Sequence, residues 1–140
     1  MHLTTFLPLL TLLTPSLALT TRSPIDPVPS PWNVTHYTEG CSPAACVYTF
    51  NISLSNSGTN EPSFSTTCTG NNLTPDFQAC EDPAIATREV NGWSNVTLIV
   101  QHVYMDGEAR FTVTGNHTIV NPGYQAYDFV VVQSEISAVA

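Results

Sequence analysis

The groups whose type and spacing first suggest acid–base or metal chemistry in this chain are His36, His102 and His117, the acid pairs Glu81–Asp82 and Asp106/Glu108, and Cys41, Cys46, Cys68 and Cys80. A zinc site calls for close spacings such as C-x-x-C with partner histidines, and none occurs. No G-x-S-x-G, H-E-x-x-H or H-x-H is present either, so neither a nucleophile elbow nor a metalloprotease pair is encoded locally. His102 and His117 share one face of a predicted hairpin but sit near its opposite ends, too far apart to hold one metal, and are read as rim or satisfied core residues. A glycosidase needs two acids at a set separation. Both acid pairs here lie in turn-rich stretches, where acids are ordinarily solvated or cap the backbone. The sequence therefore predicts no catalytic residue, no cofactor-binding residue and no metal ligand.

The cysteines and asparagines point instead to an exported chain. The opening "MHLTTFLPLLTLLTPSLALT" carries an apolar run from Phe6 to Leu13, then Pro15 and the small residues Ser16-Leu17-Ala18. That pattern predicts a signal peptide over residues 1–18 cut after Ala18, not a span, because Pro8, Pro15 and threonines break the run well short of ~20 apolar residues. A Pro-rich leader follows over 19–31, with proline at 24, 27, 29 and 31. Residues 32–140 then make one domain, since the remaining length suits one core and not two. The tail "DFVVVQSEISAVA" is too short and polar for a lipid-anchor signal. Four cysteines in an exported chain imply two disulfides. Of three possible pairings, Cys41–Cys46 and Cys68–Cys80 are expected because each brackets a turn-rich stretch, the larger loop contributing on the order of 3 kcal/mol.

Charge removes further classes. There is no lysine, and Arg22, Arg88 and Arg110 stand against eleven acids for a formal net charge of −8. Nucleic acid and anionic membrane would be repelled, and Schiff-base or phosphate-cradling lysine chemistry has no amine to use.

The elements that must carry these groups read as strands. In "CVYTFNISLS", Tyr48, Phe50, Ile52 and Leu54 face one way while Val47, Thr49, Asn51 and Ser53 face the other, so a core strand can hold a sugar acceptor on its wet side. Acceptor triplets occur at Asn33, Asn51, Asn72, Asn95 and Asn116, where composition alone gives about two. All but Asn72 fall on the polar face of an expected strand. "WNVTHY" is a first strand alternating Trp32, Val34 and His36 against Asn33, Thr35 and Tyr37, and "SFSTTC" a third. In "NVTLIVQHVYMDGEARFTVTGNHTIV", Asp106-Gly107 as a two-residue loop pairs Val100 with Val113, Leu98 with Gly115, His102 with Phe111 and Asn116 with Thr97. Val96, Leu98, Val100, Phe111 and Val113 then share the inner face. "DPAIATREV" at 82–90 is expected to make a turn or two of helix, and Pro122-Gly123 a type II turn before the last strand, "YDFVVVQ". The fold class is all-β: a single compact antiparallel β-barrel or β-sandwich with two disulfides.

"WNVTHYTEGCSPAACVYTFNI" resembles the opening of fungal small secreted proteins of the Alternaria alternata major allergen family. There a W-x-V-x-x-aromatic strand precedes a short Cys loop and a C-x-Y-x-F-x-I strand. The matching residues are Trp32, Val34, Tyr37, Cys41, Cys46, Tyr48, Phe50 and Ile52, and a Cys68…Cys80 pair precedes Gly92-Trp93, so the resemblance spans roughly 32–135. It implies an exported antiparallel β-barrel without established catalysis, acting as allergen or elicitor, and linked to dimerisation and to plant phenolics or defence proteins. The cysteine that links the allergen's dimer and its late disulfide have no counterpart, so no ligand-binding residue is carried over.

The expected function is a non-catalytic secreted fungal binding module, effector- or allergen-like, engaging a host extracellular protein or small aromatic ligand. It is expected as a monomer or non-covalent dimer, outside the cell or in its wall, with no cofactor. A structural cell-wall or surface glycoprotein is the first alternative and a secreted carbohydrate-active enzyme the second.

Overall fold

A computed structural model describes residues 30–55 and 60–140; the expected signal peptide and most of the Pro-rich leader lie outside the described residues. Eight strands follow one another: β1 (Trp32–Cys41), β2 (Cys46–Leu54), β3 (Phe64–Asn71), β4 (Gln78–Ala79), β5 (Ile85–Asn91), β6 (Asn95–Asp106), β7 (Ala109–Val120) and β8 (Tyr127–Val139). They form one antiparallel sheet in the order β3-β2-β1-β8-β7-β6-β5-β4, curled into a nearly closed barrel. Short turns join most neighbours, so only β1 and β8 pair across a long stretch of sequence.

A two-residue β4 cannot pair with β3 along a ladder, and covalent and single bonds close the seam instead. Cys68–Cys80 bridges it, Glu81 N–H donates to the Thr67 carbonyl at 3.0 Å, and Asp82 N–H donates to Thr66 Oγ1 at 2.9 Å. Cys41–Cys46 closes the β1–β2 turn. Both expected disulfides are therefore present.

Inside lie Trp32, Val34, Tyr37, Tyr48, Phe50, Ile52, Ile85, Leu98, Val100, Val113 and Val131, all fully or almost fully buried. Each such side chain contributes roughly 1.5–3 kcal/mol by leaving water. Gly115 makes room for the largest: a Cβ there would lie 2.8 Å from Val131 Cγ1 and 3.2 Å from the Trp32 ring.

Four local expectations are corrected. In β1 the inward set is Trp32, Val34 and Tyr37, while His36 is exposed. A β-bulge explains it: between Thr35↔Asn51 and Thr38↔Thr49 two residues oppose one, and His36 adopts φ 56° with its N–H donating to Asp128 Oδ1 at 2.8 Å. The β6–β7 hairpin pairs Asp106 with Ala109, leaving Gly107-Glu108 as the loop, so Val100 meets Gly115, Leu98 meets His117, His102 meets Val113 and Ile99 meets Asn116. Gly107 has φ 62° and Glu108 does not share a positive φ, which fits a turn needing glycine only at its first central position. The shift is two residues, so every side chain keeps its face. Residues 82–90 hold a turn at Asp82 and then strand β5, because Ile85, Thr87 and Glu89 alternate into the barrel. Before β8 the positive φ falls on Asn121 at 51°, not on Gly123, so no type II turn forms at Pro122-Gly123.

The bulge yields a first prediction. His36→Gly leaves stability unchanged or raises it by up to about 1 kcal/mol, whereas His36→Val, β-branched at a left-handed position, costs roughly 1–2 kcal/mol. Urea denaturation of the two variants measures the difference.

Candidate functional site

Two polar clusters sit within the barrel. At the end where the chain enters, Glu61 from the β2–β3 connection is buried, and its carboxylate accepts from Trp32 Nε1 at 3.1 Å, His102 Nδ1 at 2.6 Å and Gln133 Nε2 at 2.6 Å. A carboxylate only accepts, which assigns the imidazole proton to Nδ1. His102 is thus a satisfied core residue, packed against Phe64 and Tyr104.

Nearer the opposite end, the Tyr37 hydroxyl donates to Glu89 Oε1 at 2.5 Å, and Tyr48 and Thr87 share a hydrogen bond of 3.0 Å. Glu89 Oε2 is buried with no partner among the described residues. Burial pushes the Glu89 carboxyl up to about 7, against the lowering effect of the Tyr37 hydroxyl. Burial likewise raises the Tyr37 and Tyr48 hydroxyls. The upward direction follows from enclosure, since the charged form would leave a buried oxygen with no donor to stabilise it.

The remaining predicted groups lie apart. His117 stacks on Phe129 at 4.3 Å and is four rungs from His102. Asp106, Glu108 and Glu81 are exposed, and Asp82 caps its own turn by accepting from Ala84 N–H. Glu39, Cys41 and Cys46 come within metal-binding reach, but both sulfurs are tied up in the disulfide and cannot act as thiolates. Of the acceptor asparagines, Asn33, Asn51 and Asn116 are exposed on outer faces, and Asn72 and Asn95 are half-buried beside the loops.

The surface carries a feature that periodicity alone does not announce. β1 pairs with β8 only as far as Val131, and β5 pairs with β6 only as far as His102. β6, β7 and β8 continue beyond those limits to Asp106, Ala109 and Val139, so a three-stranded tongue projects past the barrel end. Among the described residues, the edge of β8 from Val132 to Val139 is paired on its β7 side alone. Val132, Ile136 and Val139 are exposed there, and Tyr104 stacks on Phe111 at 5.3 Å on the tongue's inner face. Asp106, Glu108 and Glu135 surround it, against the single cation Arg110.

Fold and surface together define a disulfide-stapled antiparallel barrel with a filled interior and, among the described residues, a projecting tongue whose β8 edge is open. Comparison with known family models, curated proteins and solved structures returns no match.

Glu89 makes stability depend on pH. The folded state holds its proton up to about pH 7 and the unfolded chain only to about 4.3, so the folded state binds more protons between those values and stability falls as pH rises across that window, by on the order of 3 kcal/mol. Glu89→Gln flattens this fall and raises the melting temperature at pH 8, as read by thermal unfolding at pH 5, 6, 7 and 8.

Proposed function

We propose that this chain is an exported, non-catalytic fungal binding module that engages a host extracellular protein by strand addition at β8. The observation that carries the reading is the open edge from Val132 to Val139, eight residues with apolar side chains exposed and no lysine or proline to blunt it. A partner's extended segment would complete the ladder there with backbone hydrogen bonds, its alternate apolar side chains lying against Ile136 and Phe111. The three acids around the tongue favour a partner strand with basic flanks.

Other observations support the same reading. The buried acids Glu61 and Glu89 are enclosed by barrel side chains, and the two best-formed surface depressions among the described residues are shallow and open, unlike the concave sites that hold small substrates. Two disulfides fit an oxidising compartment. The resemblance of residues 32–52 to the opening of the Alternaria allergen family supports a fungal protein acting at the surface of a host.

The test is a partner purified from host extracellular fluid on the immobilised protein. The exposed pair Val132→Lys/Val139→Lys is expected to weaken its binding at least tenfold by calorimetry, with melting temperature unchanged, and the complex is expected to slow amide exchange across residues 132–139. Protection confined to the loops at the opposite end would contradict strand addition. Release of the protein from the wall only after glucan digestion would mark a structural glycoprotein instead.

A further inference from the structure

Trp93 is wholly exposed, at 103% of its reference surface, on the short turn that joins β5 to β6. A tryptophan rarely stands this free, because its indole is the largest apolar surface a side chain can shelter. No other described ring packs on it. Two residues later comes Asn95, the acceptor of the triplet Asn95-Val96-Thr97, and both side chains line one open groove of about 420 Å³ with Gly92, Asn121 and Pro122.

Turn and acceptor are built for each other. Gly92 N–H donates to the Asn95 carbonyl at 2.8 Å, closing the turn on Trp93-Ser94. A Cβ at residue 92 would overlap Asn95 Oδ1, so glycine is what allows the Asn95 carboxamide to lie over the turn, oxygen inward. Its Nδ2, the atom that carries an N-linked sugar, makes no hydrogen bond among the described residues. Thr97 lies on the outer face, bonded to Thr118 Oγ1 at 2.9 Å.

We infer that Trp93 is the stacking platform for the first N-acetylglucosamine of a glycan on Asn95. A β-linked pyranose presents axial C–H bonds on one face, and these pack on an indole much as one ring edge packs on the face of another. The contact removes apolar surface from water on both partners, and both are held to the same short turn, so little additional freedom is lost. The sugar thereby clamps the β5–β6 hairpin and covers the groove, leaving the opposite end of the barrel free. This rests on the exported reading, since only the secretory route attaches such a sugar.

The experiment uses protein secreted by a eukaryotic host and trimmed enzymatically to one N-acetylglucosamine per site. NMR is expected to show the axial ring protons of the Asn95 sugar shifted upfield by the indole, and the shift lost in Trp93→Ala. Asn95→Gln is expected to lower the melting temperature by about 4 °C in the wild-type background and to have no effect in the Trp93→Ala background. Glycopeptide mass spectrometry separates the ways of failing. A chain that its own leader fails to send into the medium would overturn the exported reading and this inference with it, and five bare acceptors on secreted protein would overturn the inference alone. Sugar elsewhere but none on Asn95, or an Asn95 sugar without the shift or the coupling, would overturn the inference alone.

Discussion

One buried carboxylate decides where this barrel ends. Glu61 reaches in from the β2–β3 connection and accepts hydrogen bonds from β1 through Trp32, β6 through His102 and β8 through Gln133. An ionised group in an apolar interior costs several kcal/mol unless its oxygens are satisfied, and three donors satisfy these. The same three bonds set a floor across the barrel. Above it Trp32, Val113 and Val131 are closed from water; below it Tyr104, Phe111 and Ile136 are partly exposed, and among the described residues β8 runs on with one side unpaired. The tongue is what remains of the sheet once its sealed part has ended.

The opposite half is organised by the β1 bulge. Without the extra residue at His36, Tyr37 would face solvent, and the aromatic contacts of Tyr37 with Phe50 and Phe129 and its bond to Glu89 could not form. Glu89 then lies beneath a tyrosine hydroxyl with an oxygen left over, and its raised pKa follows from that enclosure. The molecule is thus more stable in acid than at neutrality, as far as this group decides.

Much of the fold was legible because alternation is a local property. Val47 to Leu54 and Val96 to Val100 read correctly in face, and the turn-rich stretches between the cysteines identified both pairings. Errors arose where one residue's backbone conformation outweighs pattern. His36 in a left-handed conformation inverts β1, and Gly107 in the first loop position moves the hairpin register by two while sparing its faces. The stretch 82–90 looked helical because Ala84, Ala86, Arg88 and Glu89 favour helices in isolation, but Ile85 and Thr87 contribute more by filling the barrel. The functional surface was less legible. Glu61 follows a polar stretch of sequence with no periodicity to mark it as internal, and an open edge depends on where β1 starts relative to β8, which no single segment reveals. The five acceptor triplets were plain in sequence; the relation of Asn95 to Trp93 became visible only with the turn between them.

The two tryptophans report on the Glu61 carboxylate in one spectrum. Proton exchange of their indole N–H groups is expected to be slow for Trp32, bonded to Glu61, and fast for the exposed Trp93. Glu61→Leu, which leaves the buried donors of Trp32 and His102 and the half-buried Gln133 unpaired, is expected to cost about 3 kcal/mol or more and to bring Trp32 exchange close to that of Trp93. A Glu61→Leu protein that loses less than about 1 kcal/mol and keeps Trp32 protected would show that packing alone seals the barrel, and would contradict a carboxylate that decides where it ends.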